Sequence, residues 1–208
     1  MRIESGQTVL FQGDSITDCG RDRHDPASLG SGYAMMAAGW VGALYPDREI
    51  RFLNKGVSGD RVRDLEARWE RDTIELRPDW LTVLIGINDT WRRYDSNSPT
   101  SRAEFETAYR RILQRAVDAN IPNIVLMEPF VLPYPDDRCA WREDLDPKID
   151  AVRCLAREFG ATLVPLDGLF ASVAAVRDPA FWAADGVHPS PAGHALIAQA
   201  WLKAVGAI

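Results

Sequence analysis

The 208-residue chain predicts an α/β fold, a three-layer α/β/α sandwich around a five-stranded parallel sheet in the order 2-1-3-4-5. Three observations predict it. Short runs at 9–11, 80–85 and 124–127 are apolar save for Thr82, as in strands covered on both faces. Helical patterns separate the strand-like runs along the chain, so parallel pairing through right-handed crossovers follows. The first two of these runs end alike, on Gly13-Asp14-Ser15 and Gly86-Ile87-Asn88-Asp89, where strand ends deliver polar groups beyond the sheet.

Taken in order, Val9 to Phe11 enter the first strand, and Gly13 lets the backbone turn where a side chain would collide. A lone Gly-Asp-Ser is also a common helix cap, so Ser15 needs support from elsewhere. A polar loop, 18–32, leads to a well-buried helix over 33–44 that Pro46 closes. Residues 50–54 read as the second strand, running into the glycine-marked turn Lys55-Gly56-Val57-Ser58-Gly59-Asp60. One helix is expected over 62–76, with Leu65, Trp69 and Thr73 or Ile74 on its inner face. The third strand, 80–85, follows Pro78.

Ser101 and Glu104 have capping-box spacing ahead of a helix over 103–119, whose buried face is Phe105, Tyr109, Ile112, Leu113 and Ala116. The fourth strand is 124–127. Three prolines make 128–138 irregular, free to border a pocket. A helix over 149–159, a strand over 162–166, a short helix over 169–176 and an amphipathic helix over 192–205 complete the chain. No repeat, low-complexity tract or linker interrupts it, so residues 1–208 are expected to form one domain.

The formal charge of −6 argues against nucleic acid, which is bound by clustered cations. No apolar run approaches the length of a membrane span, and 1–6 lack the apolar core of a signal peptide, so a cytoplasmic protein without a membrane partner is expected. Cys19, Cys139 and Cys154 fit a reducing compartment, and Cys19 reads as a packed thiol. No cluster has metal-ligand spacing, and no metal or organic cofactor is expected.

Three histidines make the search for a general base short. His24 lies amid loop charges and reads as solvated. His194, inside the last helix, reads as a boundary or capping residue. His188 stands in an irregular segment three residues after Asp185, a spacing that lets a carboxylate bond Nδ1–H and leaves Nε2 to take a proton from Ser15. The backbone N–H groups of Ser15 and Gly59 and the amide of Asn88 are candidate donors to a developing oxyanion. Asn88 as a turn residue and Gly59 as a helix lead-in are equally good readings singly; their joint occurrence carries the weight.

Four blocks, Gly13-Asp14-Ser15, Ser58-Gly59-Asp60, Gly86-Ile87-Asn88-Asp89 and Asp185-Gly186-Val187-His188-Pro189, occur in that order over nearly the whole chain. They resemble the SGNH hydrolases, or GDSL-type esterases, named for Ser, Gly, Asn and His. The resemblance implies a flavodoxin-like SGNH fold, Ser15 as nucleophile, a triad completed by Asp185 and His188, and an oxyanion hole of Ser15, Gly59 and Asn88. A G-x-S-x-G elbow is absent, which disfavours an ordinary α/β-hydrolase. The longer runs 13–21, 54–59 and 85–94 resemble cytoplasmic bacterial acetylesterases acting on xylo-oligosaccharides. That resemblance implies a small acyl ester, an acetylated oligosaccharide, as substrate, and leaves room for a homo-oligomer.

A lysophospholipase or thioesterase would use the same triad. A flavodoxin-like binding module would use the same sheet edge, but the loop after the first strand lacks a phosphate cradle. The loops expected at the site, 18–23, 89–96 and 136–138, are polar and offer no apolar trough. Asp14, Trp91, Tyr94 and Trp182 are the expected substrate contacts, the aromatics as faces for a sugar ring.

Overall fold

The computed structural model describes residues 1–208. β1 (Thr8–Gly13) pairs with β2 (Arg51–Asn54) on one side and β3 (Trp80–Leu84) on the other; β4 (Asn123–Met127) and β5 (Thr162–Val164) extend the sheet. All pairs are parallel and the order is β2-β1-β3-β4-β5, as the alternating pattern predicts.

Side chains alternate across this sheet. Val9 and Phe11 enter one apolar cluster with Leu84, Val125 and Met127, while Leu10 enters another with Leu53, Leu81, Val83 and Leu126. Helices α2 (Tyr33–Leu44) and α9 (Pro191–Ala204) cover the first face. Helices α3 (Val62–Ala67) and α5 (Arg102–Asp118) cover the second, and α6 (Arg142–Glu158) contributes to both clusters. The capping box forms as expected: Ser101 Oγ accepts the Glu104 N–H at 3.2 Å and Glu104 Oε2 accepts the Ser101 N–H at 2.8 Å. All five residues read as the buried face of α5 are buried.

Five expectations need correction. The helix expected over 62–76 is divided: α3 ends at Ala67 and a π-helical turn covers Glu70–Ile74. Buried Gln12 of β1 donates to the Asp72 carbonyl at 2.6 Å and to Thr73 Oγ1 at 2.8 Å, diverting groups that a continuous helix would use. Residues read as the loop 89–96 form α4 (Ile87–Ser96), whose polar surface hid its period. Helix α6 starts at Arg142, not 149; Arg142–Asp146 and Asp144–Lys148 pairs support its first turns despite Pro147. Near the end, α7 (Leu166–Ala174) starts earlier than expected, and Asp178 caps a further short helix, α8 (Pro179–Trp182), within a stretch read as irregular.

Candidate active site

The site begins where β1 meets the one-turn helix α1 (Ser15–Asp18). A Cβ on Gly13 would stand 2.3 Å from the Leu84 carbonyl and 2.4 Å from Thr17 Oγ1, so only glycine lets this strand end fold so closely. Asp14 Oδ1 accepts the Ile16 N–H at 3.0 Å and caps α1, leaving Ser15 at its first position. Ser15 Oγ lies 2.9 Å from His188 Nε2, and His188 Nδ1 lies 2.6 Å from Asp185 Oδ2. The other carboxylate oxygen accepts the N–H groups of Val187 at 3.0 Å and His188 at 2.7 Å. With Nδ1–H donating to Asp185, Nε2 carries the lone pair facing the serine hydroxyl.

Burial alone would raise the Asp185 pKa, but hydrogen bonds from the His188 ring and two backbone N–H groups outweigh it and hold the carboxyl well below its usual range. The same bond, donated to Asp185 and opposed by partial burial, raises His188 above 6.5.

A second group of residues gathers around the turn at Gly59. The Asp60 N–H closes on the Val57 carbonyl at 3.2 Å, with Gly59 at φ +88°, a conformation that favours glycine. The Val57 N–H donates to Gly13 O at 3.0 Å, and Ser58 N–H to Asp18 Oδ2 at 3.0 Å, docking the turn against β1 and α1. Asn88, on the first turn of α4, donates through Nδ2 to Asp60 O at 3.1 Å. Its amide retains a second N–H, and the Ser15 and Gly59 N–H groups meet no acceptor within the protein.

The supports under these groups were not foreseen. Arg68 donates to Gly13 O (3.1 Å), Lys55 O (2.7 Å), Gln12 Oε1 (2.9 Å) and Asp60 Oδ2 (2.7 Å), tying the ends of β1 and β2 to the Gly59 turn. Asp89 Oδ2 accepts the Val62 N–H at 3.0 Å and links α4 to the start of α3. Burial pushes the carboxyls of Asp14 and Asp89 up to about 7. In the sequence these are ordinary helix and turn charges; only tertiary placement distinguishes them.

Of the four residues expected to touch substrate, Trp91 stands at the site, its ring 5.7 Å from that of His188. Asp14 needs correction, while Tyr94 and Trp182 are held by contacts within the protein. Asp14 is 1% exposed and turned inward by its capping bond. Tyr94 stacks on Trp141 at 5.3 Å and donates its hydroxyl to Ala140 O at 2.8 Å, so it builds a wall behind Trp91. Trp182 packs edge-on to Phe181, and its carbonyl accepts the Ser190 N–H at 2.8 Å, framing the segment after His188. His24 is exposed. Buried His194 accepts the Tyr33 N–H through Nδ1 at 3.2 Å and lies 3.4 Å from Cys19 Sγ; burial lowers its pKa to about 4.

The GDSL-like Lipase/Acylhydrolase family matches residues 11–196. An acetylxylan esterase of Geobacillus stearothermophilus is 40% identical, over 99% of this chain and 97% of the relative. The crystal structure of an acetylxylan esterase from that organism, Axe2, superposes with a TM-score of 0.90 at 39% identity, covering 99% of this chain and 97% of the other. Axe2 has also been solved as catalytic mutants in which a serine, an aspartate or a histidine is replaced by alanine. A more distant relative, the thioesterase 1/protease 1/lysophospholipase L1 of Escherichia coli K12, is 25% identical over 97% of this chain and 84% of its own length. Family match, full-length relatives and fold agree: this chain belongs to the GDSL-like lipase/acylhydrolase family and carries the SGNH hydrolase fold.

Proposed function

We propose that residues 1–208 act as one domain, a serine esterase that removes short acyl groups, acetyl above all, from sugars such as xylo-oligosaccharides. The observation that carries this reading is the unbroken hydrogen-bond chain from Ser15 Oγ through His188 to Asp185. Ser15 Oγ attacks the ester carbonyl as its proton passes to His188 Nε2. The resulting oxyanion is met by the N–H groups of Ser15 and Gly59 and the Asn88 amide. The C–O bond to the sugar then breaks, and the alcohol leaves with the proton from His188. Water repeats the sequence on the acyl-enzyme, releasing acetate and restoring the serine.

The sugar reading is supported by the acetylxylan esterase relative and by Trp91, whose face beside His188 suits stacking on a sugar ring. Cytoplasmic action accords with three free cysteines; no helix is long and apolar enough to cross a membrane. The reading requires only the ester as partner and is compatible with a homo-oligomer. Its test is hydrolysis of acetylated xylo-oligosaccharides beside an acyl-length series and a panel of acyl thioesters and lysophospholipids. Acetyl esters are expected to be best, with a steep fall by butyryl to hexanoyl. Faster turnover of octanoyl esters, thioesters or lysophospholipids would favour the activity for which the E. coli relative is named.

A further inference from the structure

The bonds that Asp185 makes to Val187 and His188 are internal to one turn. They fix the ring relative to the carboxylate, but not the turn relative to Ser15. That second alignment depends on the strap 131–141, which follows β4 and ends in a 3₁₀ helix, Asp136–Trp141. The strap lies hard against the turn. A Cβ on Gly186 would be 2.1 Å from the Tyr134 carbonyl, and the Leu132 N–H donates to Gly186 O at 2.8 Å. One strap side chain also reaches across: Arg138 Nε donates to the Asp185 carbonyl at 3.1 Å.

The guanidinium of Arg138 lies over two indole rings, 4.1 Å from the centroid of Trp141 and 5.3 Å from that of Trp91. Its side chain is only 13% exposed. Trp91 in turn flanks the His188 ring and belongs to α4, the helix that carries Asn88. A planar cation thus bridges the turn holding the acid and base to the helix holding an oxyanion donor. We infer that Arg138 is a positioning residue that locks the Asp185–His188 turn onto the Trp91–Trp141 wall and so sets the aim of His188 at Ser15. The inference rests on the esterase reading above. A lysine keeps the charge but cannot reproduce a flat guanidinium that stacks and donates from Nε at once.

The test is a comparison of wild type, Arg138→Met and Arg138→Lys in kcat, KM and the pH profile of kcat/KM on one acetyl ester. The titratable groups facing His188 are Asp185 on its own turn, Asp14 at the cap of α1 and His194 of α9. Both variants are expected to lose kcat by about 10- to 100-fold, the scale of a small misalignment of reacting groups, with little change in KM. The apparent pKa should fall toward 6.5 as the bond from Asp185 loosens. An unchanged kcat, a loss of kcat with an unmoved pKa, or full rescue by lysine would each overturn the inference. Should both variants fail to fold, NMR of the wild type still decides: the Arg138 Nε–H should exchange slowly with solvent, and exchange as fast as that of free arginine would refute the lock. An inactive wild type would instead count against the esterase reading.

Discussion

The two halves of the site are built differently. Ser15 and its neighbours sit on the ends of central strands, where Gly13 and Asp14 are buried and Arg68, with a side chain 10% exposed, joins β1, β2 and the Gly59 turn. The base and its carboxylate sit on a surface turn, with side chains 47% and 39% exposed. The nucleophile half shares its supports with the core, so its geometry is as stable as the fold. The acid–base half is held by a few bonds from one turn and one strap, so it is open to loss of function without unfolding.

The largest expected effect removes the nucleophile from the rigid half. Ser15→Ala should reduce kcat by roughly 10⁴-fold or more while leaving the melting temperature near that of wild type, because only one oxygen is lost. Substantial residual activity would mean that another group attacks the ester. On the surface half, Asp185→Asn should cost a comparable or slightly smaller factor, on the order of 10³- to 10⁴-fold, since an amide favours the wrong imidazole tautomer. Kinetics near wild type would show that His188 is oriented by something other than Asp185.

Asn88→Ala should lower kcat by about 10²- to 10³-fold with KM little changed, the signature of a donor that acts on the developing oxyanion. An effect confined to KM would place Asn88 in ground-state binding. Arg68→Met separates the halves by stability. Leaving Asp60, with a side chain 12% exposed, beside a neutral side chain and without its cation should cost about 3 to 5 kcal/mol, whereas Asp72 keeps Arg71. Thermal melts should show the drop; a variant as stable as wild type would refute the shared-support account of the nucleophile half.

The smallest expected effect is in pH. His188 must be neutral to take the Ser15 proton, and the Asp185 bond raises its pKa, so kcat/KM should rise with pH through a midpoint above 6.5. The sign carries to folding as well. For His188, the extra stability that the charged ring draws from Asp185 is fully present below its unfolded pKa and is lost as pH rises through the raised folded value, while the neutral ring keeps its Nδ1–H bond. A kinetic midpoint below 6.5, measured on the wild type, would contradict the Asp185–His188 bond in solution.

The same division governs what the sequence made legible. The parallel sheet covered on both faces follows from the alternation of strands and helices, with Val9 and Phe11 in one apolar layer and Leu10 in the other. Ser15, His188 and Asp185 were legible because a strand end and a three-residue spacing are local features, as were the Gly59 and Asn88 blocks. Arg68, Asp89 and Arg138 were not, since their importance lies in partners distant along the chain. Gln12 shows the reverse failure: a polar residue just past an apolar run bonds Asp72 and Thr73 of the π-helical turn, contacts no helical pattern records. Asp14 misled for a related reason, because nearness in sequence to Ser15 says nothing about the direction of a carboxylate.

The central claim is that Ser15, activated through His188, is the nucleophile. An organophosphonate ester that labels activated serines, read by intact mass and peptide mapping, tests it most directly. The expected result is a single adduct on Ser15, absent in Ser15→Ala and formed far more slowly in Asp185→Asn. No adduct on the wild type, or undiminished labelling of Ser15→Ala at another residue, would contradict the account.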